Sequence, residues 1–265
     1  MAAGKLAAAV TRGERRAGQL AELGIRPIVA DITDPSSLAS IPAVDTILFA
    51  VGFDRSSDHS IEEVYVSGLA NLLAALPETP RRFVYISSTG VYGDADGEVI
   101  DEQSPTHPTR PGGKAHLAAE KLLLESQLGD RATILRCAGL YGPGRIPRLK
   151  DVQLGQPIPA NPDACINLIH VDDAAQIVCE VAEAQPPSQV YCVSDGSPPT
   201  RREFYEHLAM LHGAPPPTFA TPDDESTSRR SRTSNKRISN RRLMDELRIT
   251  LQYPTYREGL AAIET

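Results

Sequence analysis

FVYISSTGVYG at residues 83–93 decides how this chain is read. Its first four residues are apolar, aromatic or β-branched, the composition of a buried strand. Ser87, Ser88 and Thr89 follow at once. Small hydroxyls at the carboxyl end of a parallel strand face the crevice where open α/β sheets bind ligands. A Ser/Thr-rich turn that merely caps a strand is the plainer reading. The residues on either side decide against it.

Working outward, strand-like runs alternate with helical stretches. LAAAV (6–10), PIVAD (27–31), TILFAV (46–51), FVYIS (83–87) and ATILRC (132–137) are apolar throughout rather than alternating. Such runs mark strands covered on both faces of a parallel sheet. Between them, Val64, Leu69, Leu72, Leu73 and Leu76 recur at helical spacing, predicting a helix over 60–76. Leu117, Leu123, Leu124 and Leu128 predict another over 114–128. The fold class is therefore α/β, a doubly wound parallel sheet. After residue 140 Pro and Gly become dense. INLIH (166–170), a helix over 172–184 and the strand QVYCVS (189–194) still read as late core elements. Thr200 and Glu203 form a capping box opening a helix to about 211. Residues 214–234 read as loop or linker by composition. A last helix over 240–247 starts from Ser239 or Asn240.

The chain has 265 residues and a formal net charge of −7, with no global attraction to nucleic acid or anionic membrane. Charge is nevertheless uneven. Residues 229–242 hold Arg229, Arg230, Arg232, Lys236, Arg237, Arg241 and Arg242 with no acid. A solvated loop and an anion site for a phosphorylated ligand both fit that run. Cys137, Cys165, Cys179 and Cys192 lack metal-ligand spacing and read as buried free thiols of a reduced compartment. There is no apolar run of membrane-spanning length and no signal-peptide pattern, so a soluble, cytoplasmic protein is expected. His170 and Asp172 are expected to cap the helix at 172–184, and no metal site is expected.

Six segments, in order, resemble the extended short-chain dehydrogenase/reductase superfamily, in particular its NAD-dependent epimerase/dehydratase group. They are VADITD (29–34), LFAVG (48–52), GLANLLAAL (68–76), SSTGVYG (87–93), LRCAGLYGPG (135–144) and IHVDDAA (169–175). The resemblance implies a Rossmann-like dinucleotide-binding core over 1–140. It implies a mixed segment over 141–265 carrying the late core elements and a small substrate lobe. It places Thr11, Arg12, Asp31, Ile32, Ala50, Val51, Gly52, Ser87, His116, Ala138, Gly139 and Leu140 against a cofactor. Ser88 takes the catalytic hydroxyl position, and Tyr92 is the nearest phenol able to substitute as acid or base. Ser88, Thr89, Tyr141, Arg145 and Lys236 fall on the substrate side. With no acid at 11–13 and Arg12 present, NADP is favoured over NAD.

Two departures matter. The group's catalytic pair is Tyr-x-x-x-Lys, and here those positions hold Gly112 and His116. Glycine cannot move a proton, and histidine cannot supply lysine's constant charge. His116 as a solvated helix residue is the plainer reading. Lys114 lies two residues off that helical face. The second departure is at the start, where MAAGKLAAAVTRGERRAGQLAELGI resembles the second strand and helix, without a glycine-rich strand–turn–helix before it. A missing central strand would leave a gap of roughly 9–10 Å, with orphaned backbone groups costing about 1–3 kcal/mol each. Either strand 6–10 slides beside 46–51, or the natural product starts upstream; the second is preferred.

The resulting expectation is an NAD(P)-dependent oxidoreductase or isomerase acting on a sugar nucleotide or related small hydroxy compound, with weak or altered catalysis. The alternative is a non-catalytic dinucleotide-binding or regulatory protein. A homodimer through the helices at 60–76 and 114–128 is implied by the resemblance alone.

Overall fold

The computed structural model describes residues 6–184, 187–220 and 235–264. They pack as two compact units. The first runs to Phe83 and takes in Ala118–Ala132; the second holds Val84–Leu117 and the chain from Thr133 onward. The expected boundary at 140 falls inside the second unit. The predicted loop at 221–234 lies outside the described residues.

In the first unit, β1 (Ala8–Thr11) pairs in parallel with β2 (Arg26–Val29), Ala8 opposite Arg26 and Thr11 opposite Val29. The crossover helix α1 (Glu14–Glu22) buries Ala17 and Leu20. β3 (Thr46–Phe49) is followed by a π-helical turn, Glu63–Ser67, that runs into α2 (Gly68–Ala75). The single helix expected over 60–76 is thus a π segment joined to an α segment. Gly68 sits there because a side chain would meet Ile32 Cγ1 at 2.9 Å.

The first unit departs from the two-faced burial that its apolar strands predict. β1 and β2 form a two-stranded sheet of their own, which β3 does not join. Val10 is 50% exposed, Val29 42% and Leu48 48%. Strand β1 does not slide beside β3; its ladder with β2 fixes it through the short α1 crossover.

The second unit behaves as the pattern predicts. Strand β4 (Arg82–Ser88) enters it at Val84, and Val84 and Tyr85 are fully buried. After β5 (Val99–Ile100), α3 (Pro111–Glu125) and a short 3₁₀ turn comes β6 (Ala132–Cys137), buried at every position. β6 pairs in parallel with β9 (Val190–Val193), Leu135 opposite Tyr191. Ile177 and Val181 of α5 (Val171–Glu183) pack on that pair. A second core forms under β7 (Gly139–Tyr141) and β8 (Leu168–His170), which are also parallel. Tyr141 and Leu168 meet Phe204 and Leu208 of α6 (Arg201–Leu211) and Tyr256 and Leu260 of a C-terminal helix. The Thr200–Glu203 capping box is present. After α4 (Leu149–Gln153), the remaining elements are β10 (Arg237–Ile238), paired with β5, α7 (Arg241–Leu247) and α8 (Tyr256–Glu264). Asn240 stands at the N-cap of α7 without a side-chain cap bond. Cys137 and Cys192 are buried, but Cys179 is exposed, correcting the uniform burial expected of the thiols. It lies on the outward side of α5, away from the core-facing Ile177 and Val181.

Gly259 of α8 lies against the Tyr141 ring, where any Cβ would collide with the phenol oxygen. Gly18 of α1 has open space around it. Urea denaturation should therefore separate two formally equal substitutions. Gly259→Ala should cost about 1–3 kcal/mol by overpacking, and Gly18→Ala should gain about 0.5–1 kcal/mol of helix stability.

Candidate functional site

Thr11 and Arg12 stand at the carboxyl end of β1, Asp31 and Ile32 follow β2, and Ala50–Gly52 follow β3. Asp31 Oδ1 accepts from Thr33 N at 2.9 Å and Thr33 Oγ1 at 2.6 Å. Partial burial opposes its ionisation, but the Thr33 bonds, with Arg12 and His59 nearby, hold the carboxyl below its ordinary value. Arg12 Nη2 lies 3.4 Å from Asp54 Oδ2. Both side chains are largely exposed, so the pair adds little stability and leaves the guanidinium accessible. A Cβ at Gly13 or at Gly52 would meet nothing within 4 Å, so the chain turns there against open space. Aspartate, an arginine and small residues on the strand ends fit the adenosine side of a dinucleotide.

The second unit carries the hydroxyl turn. Ser88 ends β4 and its Oγ accepts from Gly90 N at 3.1 Å, capping the 3₁₀ turn Thr89–Tyr92. Ser87 and Thr89 are buried. Gly113, in the first turn of α3, lies so close to the Gly90 carbonyl that any side chain there would collide with it. Ala138 N donates to Val193 O and Gly139 N to Asn167 O, fixing the strand end that leads to Leu140 and Tyr141. Gly142 and Arg145 exchange backbone bonds across a tight turn that leaves the Arg145 side chain exposed.

His116 is half-buried rather than solvated, which corrects the plainer expectation for it. Its Nδ1 lies 2.9 Å from the Tyr85 hydroxyl on β4. Burial pushes its pKa down to about 4, so the ring is neutral at physiological pH. Tyr92 is corrected as well. It is buried, its hydroxyl accepts from Arg136 Nη1 at 2.9 Å, and Cys192 Sγ lies 3.1 Å away. Arg136 also stacks over its ring, 5.0 Å from the centroid. Burial first, then Cys192, drive the phenol pKa far up despite Arg136. A phenol so held does not exchange protons near neutrality, so Tyr92 is a packing and anchoring residue.

His170 caps α5 through Nδ1, which accepts from Asp172 N at 3.2 Å, as its position in the sequence suggests. The His170 ring stands edge-on to Tyr141, with centroids 5.2 Å apart. Asp195, just beyond β9, is 7% exposed. Its Oδ1 accepts from Ser197 N at 2.9 Å, while Oδ2 is buried without a partner. Burial, with Asp173 and Glu258 adding repulsion, raises this carboxyl to about 7. Among the described residues no group of three or more His, Cys, Asp or Glu gathers as metal ligands. Nor is any described helix long and apolar enough to cross a membrane.

Residues 2–194 match the family described as NAD dependent epimerase/dehydratase. The chain belongs to that family. Protein YeeZ of Escherichia coli K12 is 30% identical over 224 residues, covering 84% of this chain and 77% of YeeZ. A functionally unknown conserved protein from Silicibacter pomeroyi superposes with a TM-score of 0.78 at 29% identity, covering 98% of this chain and 90% of the other. MoeE5, solved with UDP-glucose and NAD, superposes with a TM-score of 0.74 at 22% identity over 98% and 97% of the two chains. That last likeness establishes the Rossmann-like fold alone.

Within this epimerase/dehydratase family member, sequence reasoning located the strand ends and the Ser88 turn. It missed Tyr85 as the partner of His116, and it missed Asp195. Tyr85 reads only as one more strand aromatic, and Asp195 as ordinary turn chemistry. Neither carries a local signal, because each acquires its role from residues far away in sequence.

Asp195 makes the first test of this arrangement. The carboxyl binds a proton in the folded protein that the unfolded chain releases near pH 4. That contribution is present at low pH and is lost as pH rises through about 7. Asp195→Asn stays neutral and keeps the acceptor for Ser197 N. Thermal melts should show the variant more stable than wild type at pH 8, with the advantage vanishing at pH 4–5. Parallel pH profiles for the two proteins would refute the assignment.

Proposed function

We propose that this protein binds a nicotinamide dinucleotide and acts as an oxidoreductase or isomerase on a sugar nucleotide or related small hydroxy compound, with altered proton handling. Family membership and the strand-end set Thr11, Arg12, Asp31, Ile32 and Ala50–Gly52 support the cofactor. The dinucleotide, when bound, supplies or accepts a hydride at its nicotinamide. Arg12 favours NADP because an accessible guanidinium at that strand end can pair with a 2′-phosphate bidentately. Ser88 Oγ holds and polarises the substrate hydroxyl, with Thr89, Tyr141, Arg145 and Lys236 on the substrate side. Ser87, His116 and Ala138–Leu140 border the nicotinamide side. A curated relative from Streptomyces niveus named dTDP-glucose 4,6-dehydratase, 29% identical over 143 residues, supports the substrate class. A cytoplasmic location and a homodimer through α2 and α3 belong to the same proposal.

One observation carries the altered chemistry: His116, at the lysine position, is neutral and bonded to Tyr85, and Gly112 replaces the tyrosine. Gly112 has no group to carry a proton, and a neutral His116 supplies no fixed positive charge to lower a phenol pKa. General acid–base catalysis contributes about 10²–10⁴-fold, so hydride transfer should be slower by about that factor than with the usual pair. The same observation favours a second reading, a dinucleotide sensor that turns nothing over.

The test is titration with NADPH and NADH followed by protein fluorescence, then a hydride-transfer assay against UDP-sugars. NADPH should bind about tenfold or more tightly than NADH, and Arg12→Ala should remove the difference. Slow turnover supports the enzyme, and binding without turnover supports the sensor. A wild-type protein that binds neither dinucleotide overturns both.

A further inference from the structure

The loop that follows β3 is tied to its surroundings in the first unit by its own polar groups. At one end Phe53 N donates to the Tyr65 hydroxyl at 3.2 Å. At the other, Ser60 and Glu63 bond reciprocally, Ser60 N to Glu63 Oε2 at 2.6 Å and Glu63 N to Ser60 Oγ at 3.1 Å. Between those ends two side chains reach back to the strand ends. His59 Nε2 lies 3.2 Å from Thr33 Oγ1, which donates to Asp31 Oδ1 just after β2. Asp54 Oδ2 lies 3.4 Å from Nη2 of Arg12, the residue just after β1.

The Asp54 carboxylate is set by its own turn before it meets Arg12. Its Oδ1 accepts from Ser56 N at 3.0 Å and from Ser56 Oγ at 2.7 Å. Ser57 N donates to Asp54 O at 3.1 Å and closes the turn. The two Ser56 bonds hold this carboxyl below its ordinary value, so it is anionic at neutral pH. Oδ2 is the oxygen turned to the guanidinium. Its single contact is longer than the about 2.7–2.9 Å of a strong charge-assisted bond. The two side chains are 57% and 46% exposed, where such a pair is weak. A phosphate group can present two oxygens to the same planar fork, which one carboxylate oxygen cannot. The phosphate therefore wins the guanidinium, but against a resident anion that repels it. A ligand without that phosphate leaves the pair untouched.

We propose that Asp54 competes with the cofactor's 2′-phosphate for Arg12 and so sets how strongly this protein prefers NADP over NAD. This deepens the cofactor reading given above and rests on it. Asp54 carries no signal in the sequence, because its tie to Arg12 spans 42 residues.

The test is calorimetric titration of the full chain with NADPH and NADH, and with adenosine 2′,5′-bisphosphate and AMP as fragments. Asp54→Asn keeps an acceptor for Ser56 and removes the charge. It should bind NADPH and the bisphosphate roughly three- to fivefold more tightly than wild type, with NADH and AMP unchanged. In an Arg12→Ala background the same substitution should change none of the four affinities. Asp54→Ser removes the same charge and carries the test alone if Asp54→Asn does not fold. A gain shared equally by NADPH and NADH, no gain, or a loss of NADPH affinity overturns the inference. So does a gain that survives in Arg12→Ala. If the dinucleotides bind and Asp54→Asn leaves their affinity ratio where it was, this inference alone falls. If neither dinucleotide binds while the bisphosphate still separates Asp54→Asn from wild type, the dinucleotide reading alone falls. If none of the four ligands binds, both fall.

Discussion

The backbone contact between Gly113 and Gly90 governs the chemistry of the second unit. Only a residue without a side chain lets the first turn of α3 settle against the carbonyl of the Ser88–Tyr92 turn. Once it settles, helical geometry leaves no freedom for the next two turns. His116 then comes within hydrogen-bond reach of Tyr85. The same contact explains how a helix that starts Pro-Gly-Gly survives. Proline suits the first helical position, and the entropy lost by two glycines is offset by packing that nothing larger would permit.

Burial in the second unit moves His116, Asp195 and Lys236 toward their neutral forms. His116 is driven to neutrality from above, Asp195 from below, and Lys236 is moved toward it. Desolvation is the largest cause in all three.

Much of the fold was legible because burial on both faces leaves its mark on composition. Strands β4, β6 and β9 read as unbroken apolar runs and are buried. The capping box at Thr200 and Glu203 and the cap at His170 were legible for a different reason, since both ends of each interaction lie within three residues. The first unit was misread where the pattern depends on a neighbour. Val10 and Leu48 have the composition of covered strand residues, but composition cannot report that β1 pairs on one edge only. Tyr92 was misassigned because its phenol, near Ser88 in sequence, finds Arg136 and Cys192 by tertiary packing.

Chain spacing decides which parts of a site can be read before folding. Ser88, Thr89 and Gly90 form one local turn, so hydroxyl chemistry is visible in eleven residues. Tyr85 and His116 come from β4 and α3, and Asp173 of α5 accepts from the backbone N–H groups of Gln252 and Tyr253. No motif can record such contacts, because only the fold brings their partners together. Resemblance therefore points to the turn, and only the folded geometry points to the residues around it.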